Sequence, residues 1–280
     1  MEKIGYINKN GDFEEFRIAF VTLGCKVNRY ESDAIRQAFE DLGFVSVAES
    51  ESADVYVVNT CTVTSEADRK SGQMIRRMKK RNPDAIVAAM GCRIEIRGES
   101  AADVAAGTKN RLSIVESVVA RLRVLWGDSF LEASVSSVCP TEMGGPVVSQ
   151  EETRAYIKIE DGCDAFCSYC IIPFARGRVK SRPRAEILQE ASLLCEKGFR
   201  EVVLTGIHLC SYGKDIGEGI LSVAEILEEI GKLDGISRIR LGSLEPKSLT
   251  PVFVERIAGV EKLCPHFHLS LQSLLCESQN

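Results

Sequence analysis

Cys163, Cys167 and Cys170 stand as C-x3-C-x2-C in the segment DGCDAFCSYC, directly after a run that reads as a strand. Thiolates bind iron–sulfur clusters, and four of them saturate a 4Fe–4S cube. Three close ligands with no obvious fourth leave one iron open. An open iron can chelate the amino and carboxylate groups of S-adenosylmethionine and pass it an electron. The sulfonium then breaks to a 5′-deoxyadenosyl radical, a chemistry that no side chain supplies. The competing readings are a zinc knot and three incidental cysteines. Structural zinc normally takes four ligands from paired C-x2-C units, and the sequence offers no second pair.

A second set is less obvious. Cys25, Cys61 and Cys92 are 36 and 31 residues apart. Each falls within a residue or two of the end of a run that reads as a parallel strand: VTLGC, VVNTC and AAMGC. Open α/β sheets bind ligands outside the carboxyl ends of their strands, so three thiols at neighbouring strand ends can converge on one ligand, again with an open fourth position. The alternative is cysteine as a small buried hydrophobe; the threefold repetition of the placement favours the ligand. Cys139, Cys195, Cys210, Cys264 and Cys276 show no such arrangement and read as structural. Eleven cysteines is an odd count, and the sequence shows no export signal, so metal or redox chemistry is expected rather than a disulfide scaffold.

The elements that must position these residues follow from the apolar pattern. The 280 residues allow two ordinary domains. Residues 1–16 read as a polar leader. Arg17–Leu23, Asp54–Asn59 and Ala85–Met90 read as strands, with a fourth short one near Val104. Asn28–Gly43, Ser65–Asn82 and Leu112–Val124 show helical spacing. Asn28 with Glu31 resembles a capping pair. This order predicts an open parallel sheet with flanking helices over residues 17–133. Residues 134–152 hold Pro140, Gly144, Gly145 and Pro146 and read as a linker. The alternation then restarts over 153–280. Strands are predicted at Ala155–Glu160, Glu201–Thr205, Ser237–Leu241 and Phe267–Gln272, and helices at Ala185–Lys197, Ser222–Lys232 and Ser248–Ala258. Four strands and three helices make an incomplete (βα) barrel, since closure ties strand number to tilt and stagger.

TLGCKVNRYESD, NTCTVTSEAD and a later GC, together with DGCDAFCSYCIIPFARGRVKSRP, resemble the methylthiotransferase family of radical S-adenosylmethionine enzymes. LTGIHLCSYG, RIRLGSLEP and PHFHLSLQS are most similar to the bacterial branch acting on threonylcarbamoyladenosine in tRNA. The resemblance implies two 4Fe–4S clusters: an auxiliary one on Cys25, Cys61 and Cys92 that takes part in sulfur delivery, and the radical one on Cys163, Cys167 and Cys170. It implies insertion of sulfur and a methyl group into a C–H bond of the modified adenosine next to the anticodon. Isopentenyladenosine in tRNA and a ribosomal-protein aspartate are the family's other acceptors. It further implies tRNA, an electron donor and a sulfur source as partners, and a cytoplasmic setting.

By the same resemblance Tyr169 is placed near the adenine of S-adenosylmethionine, with a packed loop aromatic as the plain alternative. Gly206 follows the strand EVVLT, where backbone amides can approach the methionyl group because glycine has no side chain. Ser243 and Glu245 end the next strand and can reach the ribose; turn chemistry is the alternative for all three. Departures from the family pattern are Arg93, Ile94 and Glu95 after Cys92, Cys210 where glycine is common, and Gly242 where serine is common. After SLQS the chain runs Leu274, Leu275, Cys276, Glu277 and ends at Asn280. That reads as a truncation or a shifted frame that leaves out the last barrel units and the TRAM domain, and a non-catalytic remnant is the reading that follows from it.

The net charge of −5 argues against a globally basic nucleic-acid coat protein. No apolar run approaches the ~18 residues a membrane span needs. Two local runs oppose the acidic average. Arg69–Arg81 carries seven cations and no acid, which a solvated helix face explains as well as a phosphate contact does. Arg176, Arg178, Lys180, Arg182 and Arg184 alternate, and if extended would point to one side, where they could neutralise phosphates.

Overall fold

The computed structural model describes residues 4–8, 10–99, 101–131, 145–150 and 152–271. Most of the expected linker, Cys139, Cys276 and the end of the last expected strand lie outside them. Two compact units form: residues 1–144 with 169–176, and residues 145–168 with 177–280.

In the first unit the expected polar leader is instead folded. β1 (Gly5–Ile7) pairs antiparallel with both β2 (Phe13–Glu15) and β8 (Phe130–Leu131). Its polarity conceals anchors: Ile4 and Phe16 are fully buried, and Tyr6 stacks on Trp126 with ring centroids 3.9 Å apart.

The main sheet has five parallel strands in the order β4-β3-β5-β6-β7. These are β3 (Arg17–Thr22), β4 (Val45–Val47), β5 (Val55–Thr60), β6 (Ile86–Gly91) and β7 (Val104–Ala106). β5 and β6 are buried along their whole length, as strands covered on both faces must be. Their side chains alternate. Val55 and Val57 face a core with Ile35 and Phe39 of α1 (Lys26–Asp41) and Ile114 and Val118 of α4 (Ser113–Trp126). Tyr56 and Val58 face Ile75 and Met78 of α2 (Ser65–Arg81). The predicted open sheet with helices on both faces is the fold observed. The short edge strand β4 was not predicted.

Helix starts differ from expectation. Thr64 caps α2 by accepting the Ala67 N–H at 3.1 Å. The N-cap of α1 is Cys25, with no side-chain cap, so Asn28 and Glu31 do not act as a capping box. A short α3 (Cys92–Arg97) follows β6, and α5 (Ile172–Arg176) belongs to the 169–176 segment of this unit.

In the second unit β9 (Ala155–Lys158), β12 (Glu201–Thr205) and β13 (Arg238–Leu241) form a parallel sheet in the order β13-β12-β9. It shares one core with α6 (Arg184–Glu196), α7 (Leu221–Gly231) and α8 (Pro251–Ala258) through Ile157, Leu204, Ile239, Leu194, Leu227 and Phe253. Two small pairs complete it: β10 (Glu160–Asp161) antiparallel to β11 (Lys180–Ser181), and β14 (Ser243–Leu244) parallel to β15 (His268–Leu269). The alternating βα units match the incomplete barrel read from the sequence, and Phe267 and Leu269 at its last described strand are each 42% exposed.

Candidate functional site

Cys25, Cys61 and Cys92 each follow the carboxyl end of a central strand: Cys25 after β3, Cys61 after β5 and Cys92 after β6. Those strands are immediate neighbours, with Thr22 opposite Asn59 and Thr60 opposite Gly91. Neighbouring strands lie about 4.8 Å apart, so sheet register alone brings three distant thiols to one end. Two glycines permit the approach. Gly24 has φ +107, and a Cβ there would come 3.1 Å from Cys61 Sγ; Gly91 has φ +99 and would strike Asn59 and Thr60.

Polar contacts fix the rest. Asn28, in the first turn of α1, donates to Thr60 O at 3.0 Å and Asn59 Oδ1 at 3.1 Å, while Asn59 Nδ2 donates back to Asn28 O at 2.8 Å. Ser71 brackets Cys61, accepting its N–H at 3.0 Å and donating to its carbonyl at 2.9 Å. Asn28 Oδ1 accepts the Cys25 thiol proton at 3.3 Å. Cys25 is exposed, whereas Cys61 and Cys92 are buried. Burial pushes the Cys92 thiol up to about 11, and the Arg176 guanidinium beside it pulls the other way.

Among the described residues no group of three or more His, Cys, Asp or Glu side chains is disposed to hold a single metal ion. The donor set nevertheless fits a larger thiolate-bound group. Cys thiolates hold iron–sulfur clusters, and neighbouring strand ends about 4.8 Å apart suit residues that share one such group. The uncapped amino terminus of α1 at Cys25 also favours a thiolate.

Cys163 and Cys167 lie in the second unit and Cys170 in the 169–176 segment. Cys163 N donates to Gly177 O at 3.1 Å. Arg178 pairs with Asp164 at 3.3 Å and lies 5.0 Å from the Phe166 ring centroid. Tyr169 is 75% exposed, so it is not a packed loop aromatic.

At the strand ends of the second unit, Gly206 has no room for a side chain because the Glu160 carboxylate lies against it. Glu160 is fully buried and accepts the His208 backbone N–H. His208 Nε2 lies 3.2 Å from Glu245, and its Nδ1 lies 2.6 Å from Ser211 Oγ. Ser243 Oγ is 3.0 Å from His268 Nδ1. Burial lowers the His208 pKa, against the pull of Glu245. Glu160 and His208 thus link Gly206 to Glu245, while His268 meets Ser243 separately; the sequence reading missed these three. Their signal was position: Glu160 and His208 follow within three residues of β9 and β12.

The alternating basic run needs correction. Its residues do not share one strand, because 172–176 are helical and only 180–181 are extended. Arg176 is buried against Glu31 at 2.8 Å, and Arg182 is buried against Glu190 at 2.7 Å. Neither can reach a phosphate. Arg178 and Lys180 are exposed, while Arg184 is half-buried and pairs with Glu225 at 2.6 Å. On α2, Arg69 and Lys70 pair with Glu66, and Lys79 pairs with Asp103. Arg76, Arg77 and Lys80 stay exposed.

Residues 17–109 match the family described as Uncharacterized protein family UPF0004, and residues 157–275 match the Radical SAM superfamily. The chain is 39% identical over 267 residues to threonylcarbamoyladenosine tRNA methylthiotransferase MtaB of Aquifex aeolicus, covering 92% of this chain and 63% of that protein. Against the protein of the same name in Bacillus subtilis it is 38% identical, covering 91% and 57%. It is 36% identical to tRNA-2-methylthio-N(6)-dimethylallyladenosine synthase of Carboxydothermus hydrogenoformans, covering 90% and 59%. The chain therefore spans 57–63% of the length of these relatives. Among solved structures it resembles the radical S-adenosylmethionine methyltransferase TsrM from Kitasatospora setae. The TM-score is 0.56 at 14% identity, covering 91% of this chain and 61% of that one, a likeness of fold.

Proposed function

Because the chain belongs to the radical S-adenosylmethionine methylthiotransferase family, we propose that it methylthiolates an adenosine in tRNA, with threonylcarbamoyladenosine next to the anticodon as the acceptor. The observation that carries this reading is the placement of Cys25, Cys61 and Cys92 at three neighbouring strand ends in a chain that also holds C-x3-C-x2-C. In this reading each set holds a 4Fe–4S cluster, and Cys163, Cys167 and Cys170 leave one iron open. When bound, the clusters and S-adenosylmethionine supply the radical and sulfur chemistry that side chains lack.

The chain's own residues bind and orient. Glu160 fills the side-chain space at Gly206 and so sets the turn after β12, whose backbone amides are the ones to meet a methionyl group. Ser243 and Glu245, held by His268 and His208, present oxygens for ribose hydroxyls. Tyr169 offers an exposed ring for stacking on adenine. Arg178 and Lys180 supply exposed cations for tRNA phosphates, where buried Arg176 and Arg182 cannot. An external electron donor and a sulfur source complete the reaction.

Two relatives at 39% and 38% identity are named for threonylcarbamoyladenosine, but two others of that name stand at 34%, below a dimethylallyladenosine synthase at 36%, so the choice of acceptor rests on the motif resemblance. The test is mass spectrometry of nucleosides from two tRNAs, one carrying each modified adenosine. Each is incubated with reconstituted protein, reductant, a sulfur source and S-adenosylmethionine. A methylthio product on the threonylcarbamoyl nucleoside alone is expected. Product on isopentenyladenosine alone would overturn the acceptor, and no product on either would overturn the activity.

A further inference from the structure

One cation lies against the three-thiol site, and the chemistry proposed above does not use it. Arg176, the last residue of α5, has 1% side-chain exposure and meets Glu31 with both terminal nitrogens, at 2.8 and 3.1 Å. Its Nη2 also donates to Asn28 Oδ1 at 3.1 Å, the oxygen that accepts the Cys25 thiol proton. The same guanidinium charge acts on the Cys92 thiol, favouring its ionised form against burial. It therefore acts on Cys92 by its charge and reaches Cys25 through Asn28. Thr108 anchors the element that carries it by donating to the Ala175 carbonyl.

An ordinary structural ion pair would end at Glu31. Here the carboxylate is shared, since Arg111 also holds Glu31 Oε1, at 3.2 Å. Buried charge is costly unless it is complemented; beyond Glu31 the guanidinium meets Asn28 Oδ1 and acts on the Cys92 thiol, which becomes a thiolate on binding metal. A planar fork of five donors can serve carboxylate, amide oxygen and sulfur together, which a lysine ammonium on its flexible stem cannot do in the same geometry.

We propose that Arg176 is a positioning residue of the Cys25–Cys61–Cys92 site, which compensates thiolate charge and raises the reduction potential of the cluster held there. The inference rests on the assignment of those cysteines as cluster ligands. Its physical basis is that net charge and hydrogen bonds to the sulfurs set cluster potentials.

The test uses the full chain with Cys163, Cys167 and Cys170 replaced by alanine, so that only the strand-end site loads. After anaerobic reconstitution, iron is counted and the midpoint is measured by a redox titration followed by electron paramagnetic resonance. Arg176→Gln is expected to bind the same iron with a midpoint more negative than the parent's, and Arg176→Lys to fall between them. Glu31→Gln keeps the cation and removes the opposing charge, so its midpoint should move the other way; it decides the matter if Arg176→Gln does not fold. Midpoints equal to the parent's in the iron-loaded variants would overturn the role of Arg176. A parent that binds no iron would instead remove the ligand assignment, and this inference with it.

Discussion

Cys163, Cys167 and Cys170 fall within eight residues of chain, whereas Cys25, Cys61 and Cys92 are separated by 36 and 31 residues. The first set is made by local spacing on one loop. The second is made by three parallel strands in register, by Asn28 and Asn59 tying α1 to β5, and by two glycines that admit close approach. A loop motif is recognisable in sequence because its chemistry is local. A strand-end site emerges only when the sheet is drawn, and it inherits every weakness of that sheet.

The largest expected effect tests whether the loop set is independent of its scaffold. Arg182→Met removes the guanidinium that pairs with Glu190 in the second unit, where both side chains are fully buried. Breaking such a pair costs about 3–5 kcal/mol. Denaturant unfolding should show that loss, with iron falling at the loop site and holding at the strand-end site. A change below about 1 kcal/mol would mean that this pair does not support the second unit.

Gly91→Ala should act in the opposite sense. Gly91 has φ +99 and ψ −166, a region used essentially by glycine, where a side chain costs about 1–3 kcal/mol, and the new Cβ would also strike Asn59 and Thr60. Iron at the strand-end site should drop while the loop site keeps its own. Equal loss at both would erase the distinction between a local and a tertiary site.

A smaller effect is expected on the surface. Arg178 is 74% exposed, and exposed pairs contribute ~1 kcal/mol or less, so Arg178→Ala should leave the unfolding midpoint in place. tRNA affinity should weaken at low salt, with the slope against log salt reduced by about 1. An unchanged slope would contradict the proposed contact of Arg178 with tRNA.

The smallest effect concerns pH. Burial holds the His208 imidazole below its ordinary value, near 6.5 in an unfolded chain. Below that pH the unfolded chain binds the extra proton more readily, so its contribution is full above pH ~6.5 and is lost as pH falls through the lowered folded value. His208→Gln should flatten the acid side of the stability profile; an identical profile would show that His208 titrates as it does in the unfolded chain.

The open sheet was legible because β5 and β6 are continuous buried apolar runs, the signature of strands covered on both faces. The thiol placement followed from those strands. The polar wall of the site was not legible. Asn28 reads as a helix cap until its partners Asn59 and Thr60, more than thirty residues away, are known. Arg176 and Arg182 read as phosphate ligands because alternation implies one strand. Glu31 lies 145 residues from Arg176, and no local pattern announces such a pair. Residues 1–16 read as a polar leader because the anchors of β1 and β2 are a few scattered side chains, Ile4, Tyr6 and Phe16.

The most direct test of two separate thiol sites is an iron count after anaerobic reconstitution of three chains. These are the unaltered protein, the variant with Cys25, Cys61 and Cys92 all replaced by alanine, and the variant with Cys163, Cys167 and Cys170 all replaced. About eight irons are expected in the first and about four in each of the others, since a cube holds four. Full iron in either triple variant would contradict the assignment of that set.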